Sequence, residues 1–255
     1  MDLGLKGKVA VITGGGAGIG KATALEFARE GCAVAICGRT LDKMKDAKKE
    51  LEALGCKVYI EVVDVSSIKE LERFAENTYN TLGHIDFWIN NAGIAFLKKI
   101  EDVMEEDWDK MMSINMKAVF FGSKIATKYM RMGNRGGVII NISSYASIIP
   151  NAARSVYAAS KSAVNSLTKT FAAEYAPYGI RVISVLPSGT DTEMSRMLKN
   201  PVDNMALRRH ATVEEIAKPI VFLTSEAAGY ITGTMVDING GKLAVQRPLS
   251  CWDNI

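Results

Sequence analysis

The fold is decided by one stretch near the N-terminus, Val9-Ala10-Val11-Ile12-Thr13-Gly14-Gly15-Gly16-Ala17-Gly18-Ile19-Gly20. Its apolar start predicts a short buried strand, and the pattern from Ala22 to Glu30 predicts an amphipathic helix. Glycines between the two allow a tight turn and let the backbone approach a pyrophosphate at the helix N-terminus. A glycine-rich loop is also compatible with an ordinary turn, but the order strand, loop, helix favours a nucleotide cofactor site.

The second predicted strand, Ala33 to Cys37, ends at Gly38-Arg39-Thr40. In a sheet that begins this way, the end of the second strand meets the adenosine ribose of a dinucleotide. A carboxylate there binds the ribose 2′-hydroxyl of NAD, whereas an arginine accommodates the 2′-phosphate of NADP. Because this position holds Arg39 and no acid, we expect NADP(H). Alternatively, Arg39 caps the next helix, Leu41 to Leu54, which Thr40 is suited to begin.

Two further predicted strands end in polar or small residues. The strand from Lys57 to Val63 precedes Asp64, which is suited either to cap the helix from Ile68 to Leu82 or to accept a hydrogen bond from an adenine amino group. The segment from His84 to Asn90 supplies a fourth strand and continues into Asn91-Ala92-Gly93. Small residues at the carboxyl end of a strand allow a cofactor to lie across the sheet edge where the strand order reverses.

Polar and ionisable residues follow the fifth predicted strand, Gly136 to Asn141. Ser143 and Ser144 come soon after it, and a helix of small residues then carries Tyr157 and Lys161. Residues four apart are neighbours on one helix face. A lysine ammonium beside a phenol favours the phenolate, so we expect Lys161 to lower the pKa of Tyr157 and to make this tyrosine a general acid or base. Such pairs are also common on ordinary solvent-facing helices.

The rest of the chain continues the alternation of strands and helices. A long helical region is predicted from Glu106 to Met132, and Asn115 within it needs hydrogen-bond partners if it is buried. Further strands are predicted from Ile180 to Leu186 and from Met235 to Ile238. The sequence therefore predicts an α/β protein with a single doubly wound, Rossmann-type parallel sheet of about seven strands and helices on both faces.

Length and composition limit the possible functions. With 255 residues, of which 48% are hydrophobic and 23% charged, the chain can bury the core of one large α/β domain. Since no linker divides it, we expect a single domain over residues 1–255, with a lid-like substrate segment at about 188–212 and a tail of uncertain order at 246–255. The net charge of +3 is small and spread along the chain, which argues against a nucleic-acid partner.

The cysteine and histidine content predicts no metal site. The 4 cysteines and 2 histidines lack the short paired spacing of metal ligands, so reduced thiols are expected. The N-terminal residues contain no long apolar stretch, and no apolar run approaches the ~20 residues of a membrane helix. We therefore expect a soluble, cytoplasmic protein with no membrane partner.

From about Lys8 to Gly241 the chain resembles the classical short-chain dehydrogenases/reductases. Several motifs in a fixed order carry the resemblance: Thr13 to Gly20, Asp64, Asn90-Asn91-Ala92-Gly93, Asn115, Ser144, Tyr157-Ala158-Ala159-Ser160-Lys161 and Tyr230-Ile231-Thr232-Gly233. It implies an NADP(H)-dependent oxidoreductase that interconverts a secondary alcohol and a ketone. An NAD(H)-dependent polyol or sugar dehydrogenase and a non-catalytic cofactor-binding scaffold are the alternatives.

The resemblance also implies roles for single residues. Tyr157 would exchange a proton with the substrate oxygen while hydride moves to or from the nicotinamide, and Ser144 would orient that oxygen. Lys161 would lower the tyrosine pKa and bind the nicotinamide ribose, and Asn115 would anchor a water that leads protons away. The implied cofactor contacts are Gly14, Gly18, Ile19, Gly20, Arg39, Thr40, Asp64, Val65, Asn91, Ala92, Gly93, Tyr157, Lys161, Pro187, Gly189, Thr190 and Thr192.

Two positions depart from the family pattern. Ser188 separates Pro187 from Gly189 where the family usually has Pro-Gly, and Ile183 stands where the family usually has an asparagine. Neither change touches the predicted tetrad of Asn115, Ser144, Tyr157 and Lys161. They therefore bear on the geometry of the loop after the sixth strand and leave the implied reaction type intact.

Pocket walls and assembly are predicted from apolar residues. A lipophilic substrate, such as a hydroxysteroid or an acyl compound, is favoured by Ala95, Phe96, Leu97, Tyr145, Ile148, Ile149, Asn151, Met194, Met197 and Leu198. A substrate carboxylate could be met by basic residues of the lid-like segment, Arg196, Lys199, Arg208 and Arg209, although exposed charge is the simpler account. The family implies a homotetramer or homodimer, with packing expected at Phe120, Phe121, Leu167 and Phe171.

Overall fold

The computed structural model describes residues 2–132, 134–198, 202 and 205–244. Its strands are β1 Val9–Thr13, β2 Ala33–Gly38, β3 Val58–Val62, β4 Phe87–Asn90, β5 Gly137–Ile142, β6 Ile180–Pro187 and β7 Met235–Ile238. They form one 7-stranded sheet in the order β3-β2-β1-β4-β5-β6-β7, and every neighbouring pair is parallel. The predicted sheet is confirmed, and its strand order reverses between β1 and β4.

Helices connect the strands and cover both faces of the sheet. Their bounds are α1 Gly18–Arg29, α2 Leu41–Ala53, α3 Ile68–Leu82, α4 Glu105–Met112, α5 Ala118–Met132, α6 Ser155–Tyr175, α7 Glu193–Met197 and α8 Val213–Thr224. Buried residues of α1, α2 and α8 share one core, whereas those of α3, α5 and α6 share the other. None of the helices in the described ranges combines the length and apolar character needed to cross a membrane.

The side chains of β1 show why its short apolar run is continuous. Val9 and Val11 pack into the core beneath α3, α5 and α6, whereas Ala10 and Ile12 pack into the opposite core. Successive side chains of a strand point to opposite faces, so a strand covered on both sides is apolar at every position. Burying Val11 or Ile12 fully contributes about 1.5–3 kcal/mol each, which stabilises β1 between β2 and β4.

Two predicted helix boundaries are wrong. The first helix begins at Gly18 and not at Ala22, because the end of the glycine-rich loop already forms its first turn. The predicted helix from Glu106 to Met132 is divided by a π-helical turn, Ser113–Lys117, which contains Asn115. A π turn adds one residue to the helical repeat and changes the direction of the side chains within it.

Of the two predicted helix caps, one is a different residue in the structure, and the other occupies its predicted position without a side-chain hydrogen bond. The helix α3 is capped by Ser67, whose Oγ accepts a hydrogen bond from the backbone N–H of Glu70, and not by Asp64. Asp64 instead accepts hydrogen bonds from Ser66, at 2.9 Å from its backbone N–H and 2.8 Å from its hydroxyl. Thr40 occupies the cap position of α2, but its side chain makes no capping hydrogen bond.

The lid-like segment predicted at about 188–212 contains α7, and a parallel bridge between Thr190 and Ala211 joins its two ends. Residues 199–201, 203 and 204 of this segment lie outside the described part of the chain. The predicted tail, 246–255, also lies outside it.

Candidate active site

Two adjoining cavities lie at the carboxyl ends of the strands, beside the point where the strand order reverses. Their volumes are about 320 Å³ and about 300 Å³. Both are lined by Gly14, Ala17, Ala92, Gly93 and Ile94, so the two form one continuous groove across the end of the sheet. A crevice at this topological position is where open α/β sheets bind their ligands.

The glycine-rich loop forms the floor between the two cavities. Gly14 has a φ of +68°, and its backbone N–H donates to the carbonyl of Cys37 at 2.8 Å. A Cβ at Gly20 would lie 2.4 Å from the carbonyl oxygen of Gly14 and 2.5 Å from Asn91 Nδ2. The space that a side chain at Gly20 would fill is therefore taken by the loop backbone and by Asn91, so glycine allows the start of α1 to pack closely against the loop.

Asn91 fastens this loop to the end of β4. Its Nδ2 donates to the carbonyls of Thr13, at 2.9 Å, and Gly14, at 3.2 Å. The hydroxyl of Thr13 in turn accepts from the backbone N–H groups of Asn91 and Ala92, both at 3.0 Å. Asn91 lines the larger cavity as predicted, and its amide shapes the loop that would hold a cofactor.

The smaller cavity contains the residues predicted for the adenosine half of a dinucleotide. Arg39, Thr40, Asp64 and Val65 all line it. Hydrogen bonds from Ser66, and after them the positive charge of Arg39, lower the pKa of Asp64 below its ordinary value. An ionised Asp64 therefore lies opposite an exposed guanidinium in the same cavity.

Lys43 also lines the smaller cavity and was missed by the sequence-based prediction. It is the third residue of α2, directly after the loop that holds Arg39 and Thr40, and this closeness to Arg39 along the chain was a usable signal. Its Nζ pairs with Glu193 of α7 at 2.8 Å. Both partners are more than half exposed, 52% and 73%, so this ion pair contributes little to stability.

The larger cavity brings together Ser144, Tyr157 and Lys161. Burial raises the pKa of Tyr157 above its ordinary value, while a hydrogen bond with Ser144 and the charge of Arg154 act in the opposite direction. The net pKa of Tyr157 therefore lies above its ordinary value and not below it as predicted, because burial outweighs the groups that lower it. Spacing along a helix placed the two residues together but could not show how deeply the site is buried.

Lys161 is itself strongly influenced by burial. Only 4% of its surface is exposed, and burial lowers its pKa to about 8. Its Nζ donates to the carbonyl of Ile142, at the end of β5, at 2.7 Å, and lies 5.9 Å from the centre of the Tyr157 ring. The β5 carbonyl thus fixes the lysine beneath the tyrosine.

Asn115 is fully buried in the π turn and hydrogen-bonded to the backbone of Ile94 in both directions. Its Oδ1 accepts from the Ile94 N–H, and its Nδ2 donates to the Ile94 carbonyl, both at 2.9 Å. Nδ2 also lies 3.2 Å from the Ser160 hydroxyl on α6. Asn115 therefore holds the segment after β4 against α6, beside Lys161.

Most predicted cofactor contacts line the groove, but two do not. Gly20 lies behind the glycine-rich loop, and Gly189 packs against His210 and Met205. The inserted Ser188 lines the larger cavity and donates to the carbonyl of Asn239 at 2.9 Å. Ile183 is fully buried in the core and does not reach the site.

A buried polar network beneath the site was also missed. Trp88 Nε1 donates to Asn90 Oδ1 at 2.8 Å, Asn90 Nδ2 to Asn141 Oδ1 at 2.8 Å, and Asn141 Nδ2 to the Thr168 hydroxyl at 3.0 Å. The signal was present, because asparagines end two strands that turn out to be neighbours. The network links β4 and β5 to α6, the helix that carries Tyr157.

The predicted substrate wall is only partly assembled around the larger cavity. Tyr145, Met194 and Leu198 line it, as does Ile94, which was not predicted. Other predicted wall residues do not line it, and several have large exposed fractions: Leu97 47%, Ile148 49%, Ile149 42% and Met197 67%.

Comparison with known proteins agrees with this geometry. The family model described as short chain dehydrogenase matches residues 8–203. A 3-oxoacyl-(acyl-carrier-protein) reductase of Thermotoga maritima is 37% identical over 93% of this chain and 98% of its own. A 3beta-hydroxysteroid dehydrogenase of Eggerthella lenta is 33% identical over 93% and 95%, respectively.

The fold is also shared with solved structures. The crystal structure of a short-chain type dehydrogenase/reductase from Mycobacterium marinum superposes with a TM-score of 0.90, at 33% identity, over 93% of this chain and 96% of that one. The matched segment contains the glycine-rich loop, Asn115, Ser144, Tyr157 and Lys161. This chain therefore belongs to the short-chain dehydrogenase/reductase family of oxidoreductases, which act on alcohol and ketone groups.

Proposed function

We propose that this protein is an NADP(H)-dependent oxidoreductase that interconverts a secondary alcohol and a ketone on a lipophilic substrate. The observation that carries the proposal is the hydrogen bond between Ser144 and Tyr157 in the larger cavity, which adjoins the smaller one across the glycine-rich loop. One substrate oxygen can meet both hydroxyls there while the carbon that bears it faces the groove. NADPH, when bound, supplies the hydride.

Tyr157 serves as the proton donor in the reductive direction. Because burial raises its pKa, the phenol is protonated at neutral pH and can give its proton to an oxygen that gains negative charge. Ser144 holds the same oxygen and limits its orientation. In the oxidative direction the phenolate is needed, so we assign the easier reaction at neutral pH to ketone reduction.

Lys161 and Asn115 support the reaction from positions beside Tyr157. The Lys161 ammonium, held by the carbonyl of Ile142, is placed to bind the cofactor ribose and to stabilise the phenolate left after proton transfer. Asn115 fixes the backbone of Ile94 and contacts α6 through Ser160. We propose that it acts through the position of these groups and through a water held beside Lys161.

Arg39 supports NADP(H) over NAD(H), because it is an exposed guanidinium in the adenosine cavity. We expect Arg39→Asp to lower kcat/KM with NADPH about 10- to 100-fold, through loss of the charged contact to the 2′-phosphate, and to leave the value with NADH higher than that with NADPH. Steady-state kinetics with both cofactors measures this. Arg29→Asp, at the end of α1, is the matched surface control. An unchanged cofactor preference in Arg39→Asp would remove the role assigned to Arg39.

The lipophilic substrate class is supported by apolar residues in the larger cavity, Ile94, Met194 and Leu198. We expect steroid or long-chain ketones to be reduced with higher kcat/KM than open-chain sugars. A panel of both classes, assayed with NADPH, measures the ratio. Efficient turnover of a polyol or sugar alone would favour the alternative class, and binding of NADPH with no turnover of any carbonyl would favour a scaffold.

We also propose that the segment around α7 closes the site. Met194, Ser195 and Leu198 line the larger cavity from this side, and Thr192 Cγ2 would lie 3.3 Å from a Cβ at Gly18. The exposed pair between Lys43 and Glu193 joins the segment to α2 across the groove. A contact this weak permits opening for ligand exchange.

A homotetramer or homodimer is proposed through α5 and α6. The Phe120 ring is 38% exposed and packs edge to face on Phe121, at 5.2 Å, and on Phe171, at 5.3 Å. An aromatic cluster at the surface is suited to be buried against a second copy. We expect light scattering to give the molar mass of an oligomer for the wild type. Phe120→Asp is expected to shift the protein towards the monomer. A monodisperse wild-type monomer would contradict this.

A further inference from the structure

Arg154 is a buried cation that the reaction proposed above does not use. It lines the larger cavity with Ser144 and Tyr157, and only 8% of its surface is exposed. It occupies the position just before α6 and therefore stands three residues before Tyr157. One of its guanidinium nitrogens lies 3.5 Å from the carbonyl oxygen of Leu198. Because a guanidinium has five N–H donors in a fixed fork, it can serve the backbone and a ligand together.

A second buried cation lies behind the wall of the same cavity. Lys242 is 7% exposed, and its Nζ lies 5.4 Å from the centre of the ring of Tyr145, which lines the cavity. Burial and then the charge of Arg154 lower the pKa of Lys242, and the charge of Arg154 also acts on Tyr157. The charge of Arg154 therefore acts on both Lys242 and the proton donor Tyr157.

Described arginines of the lid-like segment are placed differently. Arg196 pairs with Asp191 at 2.8 Å and is 70% exposed, and Arg209 pairs with Glu215 at 2.6 Å and is 52% exposed. Both ion pairs lie at the surface, and neither of these arginines lines the larger cavity, nor does Arg208. Lys199, which was also predicted as a possible contact of a substrate carboxylate, lies outside the described residues. Apart from Lys161, the cation among the described residues that line the larger cavity is therefore Arg154, at the start of α6.

The lid side of that cavity combines apolar residues with polar ones, Ser195 and Glu193, and the exposed Glu193 carboxylate is paired with Lys43. Ile94, Met194 and Leu198 offer hydrocarbon contacts, whereas Arg154 offers a charged group at one place. An enclosed site with low dielectric strengthens the attraction between a guanidinium and a carboxylate. The guanidinium fork also matches the two oxygens of a carboxylate, which gives direction as well as affinity.

We infer that the substrate is an oxo acid with an apolar body, whose carboxylate is bound by Arg154, with Lys242 adding positive charge from behind Tyr145. The inference rests on the proposed reductase function and narrows its substrate class. The carbonyl group of such an acid meets Ser144 and Tyr157 while the carboxylate meets Arg154 on the same side of the cavity. In the oxidative direction the substrate is the corresponding hydroxy acid.

The test compares matched neutral and anionic substrates in the full-length wild-type protein. A series of 3-oxo, 4-oxo and 5-oxo fatty acids is assayed with NADPH against the methyl esters of the same acids. For at least one carbonyl position we expect kcat/KM to be about 10- to 100-fold higher for the acid than for its ester, as for a charged hydrogen bond in a buried site. The expected difference lies mainly in KM.

Variants then assign the effect to Arg154. Arg154→Gln is expected to lower kcat/KM for the acid at least about tenfold more than for the ester, which removes the preference for the acid, while Arg154→Lys keeps part of the preference. Arg196→Gln, on the surface of the lid-like segment, is expected to keep all of it. Circular dichroism and NADPH affinity show whether each variant is folded, and the wild-type comparison stands without them.

The outcomes separate this inference from the function on which it rests. Reduction of the esters with no preference for the acids would overturn the carboxylate site and leave the reductase function standing. Equal losses for acid and ester in Arg154→Gln would show that Arg154 only positions α6 and the lid-like segment. NADPH binding with no reduction of either series would overturn the proposed function itself.

Discussion

Tyr157→Phe is expected to lower kcat for ketone reduction about 10²- to 10⁴-fold, the usual contribution of a positioned general acid. Phenylalanine keeps the ring of a residue that lies among Ser144, Arg154 and Lys161, so the packing of the cavity is preserved. Only the proton donor and its hydrogen bond with Ser144 are lost. The affinity for NADPH, measured by fluorescence titration, is expected to stay nearly unchanged.

Tyr145→Phe is the matched control for that substitution. Tyr145 lines the same cavity, and its hydroxyl accepts a hydrogen bond from Asn151 Nδ2 at 2.6 Å. Removing this hydroxyl is expected to cost only about two- to tenfold in kcat/KM, as for one ordinary hydrogen bond. If Tyr157→Phe kept more than about a tenth of the wild-type kcat, or if both variants lost activity equally, Tyr157 would not be the proton donor.

Lys161→Met is expected to lower kcat by about 10²- to 10³-fold, because it removes a preorganised positive charge from the reacting centre. The same substitution is expected to raise the free energy of unfolding at neutral pH, although it lowers activity. The lysine is 4% exposed and its pKa is lowered from 10.5 to about 8 by burial, so its charge destabilises the folded state. Methionine has a similar length and carries no charge into the core.

The pH dependence of that stability follows from the direction of the shift. The folded-state pKa lies below the unfolded-state value, so the unfolded chain binds more protons between about pH 8 and pH 10.5. The destabilising contribution is fully present below pH 8 and disappears as the pH rises through this window. The wild type should therefore gain about 2–3 kcal/mol of unfolding free energy relative to Lys161→Met between pH 7 and pH 10.

Urea denaturation of both proteins at several pH values measures this relative gain. The comparison cancels the titration of other groups, and the hydrogen bond lost at the carbonyl of Ile142 shifts the difference by the same amount at each pH. A stability difference that does not change with pH would show that Lys161 is not desolvated in the folded protein.

The sheet could be predicted because its strands are covered on both faces. In β1, the continuous run of Val9 to Ile12 admits one interpretation, since both neighbouring layers are apolar. The helix boundary at Asn115 could not be predicted, because its π turn depends on hydrogen bonds to Ile94, a residue far away in sequence. The same limit applies to Asp64, since a better-placed Ser67 takes the cap of α3.

The candidate site could likewise be predicted only in part from the sequence. Spacing along α6 was enough to place Tyr157 and Lys161 together, and motif order placed Ser144 beside them. The direction of the pKa shift of Tyr157 was missed because it depends on burial, which no spacing reveals. Arg154 was missed because the sequence did not show that the residue before α6 turns into the cavity.

The most direct measurement of the central proposal follows the hydride itself. The protein is incubated with a ketone from the panel and NADPH that carries deuterium on the transferred position of the nicotinamide, and the product is analysed by mass spectrometry. We expect an alcohol with one deuterium on its carbinol carbon for each NADPH oxidised, and no labelled alcohol with Tyr157→Phe in the same time. NADPH that binds in the groove while no ketone in the panel acquires deuterium would contradict the proposal.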